Sequence, residues 1–169
     1  MSHPAGTTLF EHGPQPGLLG DVAALHGRYY AHHWNFPVFF ECKVAREMAD
    51  FLSRYDPTKD LMASLRPSGR VLASITLDGS DPTLAAGAAH LRWLIVDESL
   101  RGRGIGKQLL NEAVTFARHA RFKSIYLTTF RGLDAAAALY AAAGFRVVEA
   151  FTGQTWGRPV IEQKFRMTL

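Results

Sequence analysis

Apolar positions along the chain follow two periods, and the changes between them mark out the elements. The start is rich in breakers (Pro4, Gly6, Gly13, Pro14, Pro16, Gly17), with Thr7–Glu11 as a short first strand. Asp21 suits the N-cap of a helix that carries Val22, Leu25, Tyr29 and Tyr30 on one side. Pro37 opens a second helix, because the N–H that proline lacks has no helical partner in a first turn. The stripe of that helix is Phe40, Val44, Met48, Phe51, Leu52 and Tyr55, close to the helical repeat, and Asp56-Pro57 ends it. The period then shortens to two. Leu61–Arg66 and Arg70–Leu77 flank the hairpin turn Pro67-Ser68-Gly69, and a loop follows over Asp78–Pro82. Ala86–Val96 reads as a long strand ending in Trp93-Leu94-Ile95-Val96. A helix over Gly104–Ala120 buries Ile105, Leu109, Ala113, Phe116 and Ala117, and Lys123–Thr129 is a strand. Asp134–Ala143 is an alanine-rich helix stopped by Gly144, before a closing antiparallel pair at Phe145–Thr152 and Val160–Met167. The order β-α-α-β-β-β-α-β-α-β-β predicts an α/β fold, a mixed sheet of about 6–7 strands flanked by about four helices.

Composition narrows the function classes. A chain of 169 residues fits one domain over 1–169, and 47% hydrophobic with 20% charged residues excludes disorder over most of it. Cys42 is the only cysteine, which rules out an internal disulfide and a cysteine-cluster zinc site; no metal is expected. In its helical setting Cys42 reads as a buried small hydrophobe, not a nucleophile. No apolar run approaches the ~18–20 residues that span a bilayer, and the start lacks a basic-then-apolar leader. The expectation is a cytoplasmic protein with no membrane role. Lysine and arginine exceed aspartate and glutamate by 19 to 15, which nucleic acid or a phosphate-bearing ligand could use. No nucleic-acid motif supports the first, and the basic residues cluster only at Arg101, Arg103 and Lys107.

That cluster lies in Leu94-Ile95-Val96-Asp97-Glu98-Ser99-Leu100-Arg101-Gly102-Arg103-Gly104-Ile105-Gly106-Lys107, between a strand and an amphipathic helix. Alternate glycines allow a tight turn and bring bare N–H groups against a ligand. The helix start adds unpaired donors and the positive end of its dipole, which together suit a pyrophosphate. The spacing is neither GxGxxG nor a P-loop, so neither nucleotide motif fits.

Arg101, Gly104 and Gly106 match Arg/Gln-x-x-Gly-x-Gly/Ala, and Ala136, Leu139, Tyr140, Gly144 and Phe145 match Ala-x-x-Leu-Tyr-x-x-x-Gly-Phe. In these two motifs the chain resembles the GNAT superfamily of acyl-CoA-dependent N-acetyltransferases over roughly residues 60–169. The first helices and the ending (Leu25-His26-Gly27, Phe40-Glu41, Ala49-Asp50-Phe51, Trp156-Gly157, Glu162-Gln163) resemble most the acetyltransferase half of MarR-type regulator–acetyltransferase fusions. One departure is Leu133, where the wider superfamily often carries asparagine. The resemblance implies a twisted mixed sheet, acetyl-CoA as co-substrate, and a bulged strand whose Leu94, Ile95 and Val96 backbone holds the pantetheine arm and thioester. It implies Arg101–Lys107 as the pyrophosphate loop and Tyr140 as proton donor to the departing thiolate. His90 matches the position where some members carry a catalytic glutamate, and strand parity sets it beside Arg92 and Leu94. A histidine there could take the amine's proton or orient a water near neutral pH. The first two helices and the last loop imply an acceptor pocket of Tyr29 or Tyr30, Trp34, Phe40, Glu41 and Trp156, with Glu41 pairing with the ammonium. The implied activity is acetyl transfer to a primary amine, such as an amino-acid derivative, in a ternary complex. A non-catalytic acyl-CoA sensor and a peptide N-acetyltransferase are the alternatives; a homodimer is compatible with the sequence.

Overall fold

The computed structural model describes residues 9–169. The observed order is β1 (Glu11–His12), α1 (Leu18–Trp34), α2 (Val38–Ser53), β2 (Leu61–Leu65), β3 (Ala73–Asp78), β4 (Ala88–Val96), α3 (Ile105–His119), β5 (Ser124–Phe130), α4 (Asp134–Ala143), β6 (Arg146–Gly153) and β7 (Val160–Thr168). The seven strands form one mixed sheet in the order β1-β2-β3-β4-β5-β7-β6, as the α/β expectation required. Among the described residues only β4 and β5 run parallel; α3 provides the crossover that parallel strands need. Thr7 and Thr8 of the expected first strand lie outside the described residues, and the pairing observed is Glu11 and His12 against Ser64 and Ala63.

Two apolar cores lie on opposite faces of the sheet. Odd positions of the strands (Ile75, Leu77, Ala89, Leu91, Ile125, Leu127, Phe165) pack with Leu109, Leu110 and Ala113 of α3. On the other face, Val22 and Leu25 of α1 and Phe40, Val44, Met48 and Phe51 of α2 pack over Met62, Ile95 and Phe130. Helix α1 begins at Leu18, three residues before the expected cap. Gly17, at φ 84°, makes the turn without a side-chain cap, and Asp21 instead accepts the Val71 N–H at 2.9 Å, tying α1 to the sheet. Cys42 is exposed, against expectation, because it falls on the outer side of α2, away from the stripe that Phe40 and Val44 carry inward.

The feature that positions the site is a break in β4. Its register against β3 gains a residue between Arg92 and Ile95, and Trp93 sits at φ 51°. Such a bulge rotates the residues beyond it to the other face. Leu91 therefore packs on the α3 side, while Ile95, four residues on, packs under α1 and α2. The shared parity expected for His90, Arg92 and Leu94 holds for the first two only. Leu94 turns toward the α3 side.

Candidate active site

Pairing of β4 with β5 covers only Ala88–His90 against Ser124–Tyr126, although both strands continue to Val96 and Phe130. Beyond that point they part. The backbone of Trp93–Val96 on the side facing β5 has no strand partner, and a cleft of about 760 Å³ opens there. Unpaired strand N–H and C=O groups in a cleft are ready to bind an amide-containing ligand.

At one wall stands the glycine-rich turn. Gly102 and Gly104 have φ of 74° and 73°, a region that disfavours side chains, and nothing lies within 4 Å of where a Cβ would project. Gly104 is the N-cap of α3 without side-chain help, so the first N–H groups of the helix are open. This open cradle fits a phosphate group. Arg101, Gly102 and Gly106 line the cleft; Arg103 and Lys107 are exposed and do not line it, and the Ile105 side chain is buried beneath α3. The Arg101 guanidinium lies over the Tyr29 ring at 4.8 Å.

Tyr140 arrives from α4. Its ring is buried against Phe145 and Phe165, with centroids 5.9 and 5.7 Å away. Burial pushes its pKa up to about 12, so the phenol stays protonated at neutral pH. Tyr30, Trp34, Phe40 and Trp156 line the cleft as well. Phe130 joins them, 6.0 Å from Tyr30, 4.8 Å from Trp34 and 5.6 Å from Trp156.

Glu41 does not reach this pocket. Its carboxyl fills the space beside Gly27 of α1, where an added Cβ would lie 2.7 Å from Oε2. On α2 it is Phe40, Lys43, Val44 and Glu47 that face the cleft, a spacing of three and four residues. Lys43 and Arg92 both pair with Glu47, and Arg92 reaches it at 2.6 Å. Arg92 also approaches Asp78, fully buried and held by both terminal nitrogens of Arg54 at 2.7 Å.

His90 lines the cleft beside this network, stacked on Tyr126 at 4.4 Å. Burial first, and then the neighbouring Arg92 charge, lower its pKa to about 3, so it is neutral where a free histidine would titrate. His26, unassigned by sequence reasoning, is a second neutral imidazole. Its Nδ1 donates to the Val22 carbonyl at 2.8 Å, and burial lowers its pKa to about 4. Glu162 of β7 also lines the cleft, and sequence reasoning gave it no role there, since β7 mixes polar and apolar residues throughout. Among the described residues no group of three or more His, Cys, Asp or Glu could hold a metal ion, and no helix is long and apolar enough to cross a membrane.

The overall fold is shared with solved acetyltransferases. A ribosomal-protein-alanine N-acetyltransferase from Brucella melitensis shares it at TM-score 0.74 and 19% identity, over 95% of this chain and 99% of that one. An IAA acetyltransferase from Bacillus cereus does so at 0.63 and 20%, over 95% and 99%. The sequence pattern of the Acetyltransferase (GNAT) family matches residues 23–145, and the chain belongs to that family of acyl-CoA-using enzymes. Human N-acetylaspartate synthetase is 31% identical over 132 residues, 73% of this chain. The chain spans about two fifths of that relative, 41% of its length.

Proposed function

We propose that the chain is one catalytic domain over residues 1–169, transferring an acetyl group from acetyl-CoA to a small primary amine by direct attack in a ternary complex. The observation that carries this reading is the coincidence, in one cleft, of the Trp93 bulge, the end of β4–β5 pairing and the open glycine cradle. The Arg101–Lys107 segment would hold the pyrophosphate, with the exposed Arg103 and Lys107 adding positive charge. Backbone groups of Leu94, Ile95 and Val96 would hold the pantetheine amides and polarise the thioester. The amine nitrogen bonds to the carbonyl carbon as the C–S bond breaks, and Tyr140 donates a hydrogen bond to the departing sulfur. The proton lost by the ammonium leaves through water, which neutral His90 helps to orient. Positioning supplies much of the rate, so no covalent enzyme intermediate is needed. The aromatic wall of Tyr30, Trp34, Phe40 and Trp156 favours a small amine over an extended peptide.

Within the family, the fragments Leu25-His26-Gly27, Phe40-Glu41 and Trp156-Gly157 support a place beside the acetyltransferase halves of MarR-type fusions. A single, exposed thiol suits a cytoplasmic setting. The test is thiol release from acetyl-CoA across an amine panel, with acetylated products identified by mass. The panel holds aromatic amines, amino-acid amides, aspartate and a peptide with N-terminal alanine; the last two represent the acceptors in the names of the relatives. Release with small amines supports the reading. Saturable acetyl-CoA binding with no release from any amine would make the chain a sensor.

A further inference from the structure

Every charged side chain facing the cleft from α2 and β4 has a counter-ion, but among the described residues Glu162 has none. Lys43 and Arg92 are tied to Glu47, and Arg92 also to Asp78. Glu162 is 7% exposed, and no Lys, Arg or His lies within 4 Å of its carboxylate among the described residues. Its Oε1 accepts the Thr155 N–H at 2.9 Å, while Oε2 has no hydrogen-bond partner among the described residues. The carboxyl rests against Gly153, where a Cβ would come within 2.4 Å of Oε1 and 2.7 Å of Cδ. Burying an ion without a counter-charge is costly, and a buried carboxylate lining a cavity invites a cation into it.

Strand register sets the height of Glu162. His90 pairs with Tyr126, and Glu162 with Phe130, four residues further along β5 or about 13 Å. Because β4 runs parallel to β5, its bulge at Trp93 and Leu94 stands level with Thr129 and Phe130 across the opening. Glu162 is therefore level with the bulge, while His90 lies below it. Its cross-strand partner Phe130 is the residue on which Tyr30, Trp34 and Trp156 converge.

We propose that Glu162 binds the ammonium of the acceptor, and that the acceptor is a monocationic primary amine with an aromatic or apolar body and no carboxylate beside the nitrogen. This rests on the acetyl-transfer reading and deepens it. An ammonium at Oε2 stands on the α1 and α2 side of the bulge, opposite Tyr140 of α4, so attack and thiol departure use opposite sides. The rings beside it supply apolar contact and cation–π attraction. A carboxylate on the same carbon would meet Glu162 itself. Arg101, which lines the cleft, lies over the Tyr29 ring, and Arg158 already donates to the Trp34 and Asn35 carbonyls at 3.5 and 3.3 Å.

Binding of 2-phenylethylamine and of its neutral analogue 2-phenylethanol to the CoA-saturated protein separates charge recognition from turnover. The wild-type protein should prefer the amine by about ten- to a hundredfold, the range for a hydrogen bond to a charged group. Glu162→Gln keeps an oxygen for Thr155 and should lose that preference, with the affinities for the alcohol and acetyl-CoA unchanged. Gly153→Ala, which displaces the carboxyl, should also weaken amine binding. Phenylalaninamide should bind about tenfold or more tightly than phenylalanine. A wild-type protein that binds both probes equally, or neither, overturns the proposal, as does a Glu162→Gln variant that still prefers the amine. Loss of the preference in a protein that acetylates no amine would leave Glu162 as the cation site and remove the acetyl-transfer reading instead.

Discussion

Replacing Tyr140 by phenylalanine removes one oxygen from the cleft and almost nothing from the fold. The ring is held by Phe145 and Phe165, which phenylalanine can satisfy equally, and no protein group bonds to the hydroxyl among the described residues. No partner is orphaned by the change, so stability should stay within about 1 kcal/mol of wild type. The catalytic effect follows from acidity. With a pKa of about 12, Tyr140 is a far weaker acid than a thiol near ~8.5, so complete proton transfer to the thiolate is uphill by about 5 kcal/mol. The phenol therefore acts as a hydrogen-bond donor to developing negative charge, and solvent completes the protonation. Loss of one such donor costs on the order of a hundredfold in kcat, or about 2.7 kcal/mol, at the low end of the ~10²–10⁴ for general acids. Stopped thiol-release assays with saturating amine would measure kcat, and calorimetry the acetyl-CoA affinity, which should hold within about twofold. The alkaline limb of the rate profile should be unmoved below pH ~10, since the native phenol is still protonated there. A full-rate Tyr140→Phe enzyme would falsify the donor role and leave the residue as packing.

Gly104→Val forces a branched side chain into φ 73° at the start of α3, a strain of about 1–2 kcal/mol that redirects the open N–H groups. Acetyl-CoA affinity by calorimetry should fall about tenfold or more, and unchanged affinity in a folded variant would remove the pyrophosphate loop from this segment. Asp78→Asn leaves Arg54 and Arg92 facing a neutral amide in a buried setting. Breaking such a pair costs about 3–5 kcal/mol, or a fall of about 10 °C in Tm; a shift under about 3 °C would show that the network is not stabilising. His26 is held to a pKa of about 4, below its value of 6.5 in the unfolded chain, so the unfolded state takes up the extra proton between those values. Its stabilising share, about 3 kcal/mol, should be complete above pH ~6.5 and lost as pH falls toward ~4. Denaturant midpoints across that range should slope more steeply for wild type than for His26→Gln, and equal slopes would contradict the burial argument.

Helix α4 was legible to the residue, because a run of alanines between Asp134 and Gly144 leaves the chain few other conformations. The glycine turn was legible for the same local reason. Where the reading failed, the deciding contact came from far along the chain. Trp93 occupies a left-handed φ that an aromatic residue does not announce, and it is kept there by Arg92 stacking at 4.3 Å and by the departure of β5. Parity arguments through position 94 cannot survive that turn. Glu41 and Glu47 carry the same charge on the same helix, yet the missing side chain of Gly27, on the neighbouring helix, draws the first away from the cleft. Glu162 escapes sequence reasoning because an isolated glutamate in a strand is usually a solvated edge position. Here β7 lies between β5 and β6, so Glu162, paired with Phe130 on one side and Phe151 on the other, is an interior position of the sheet that lines the cleft instead of a solvated edge. The chemistry of the cleft thus depends on pairings such as 78 with 90, 90 with 126, and 130 with 162. Helical and strand periods identify each partner's element, but only the register of the folded sheet brings their side chains to one level.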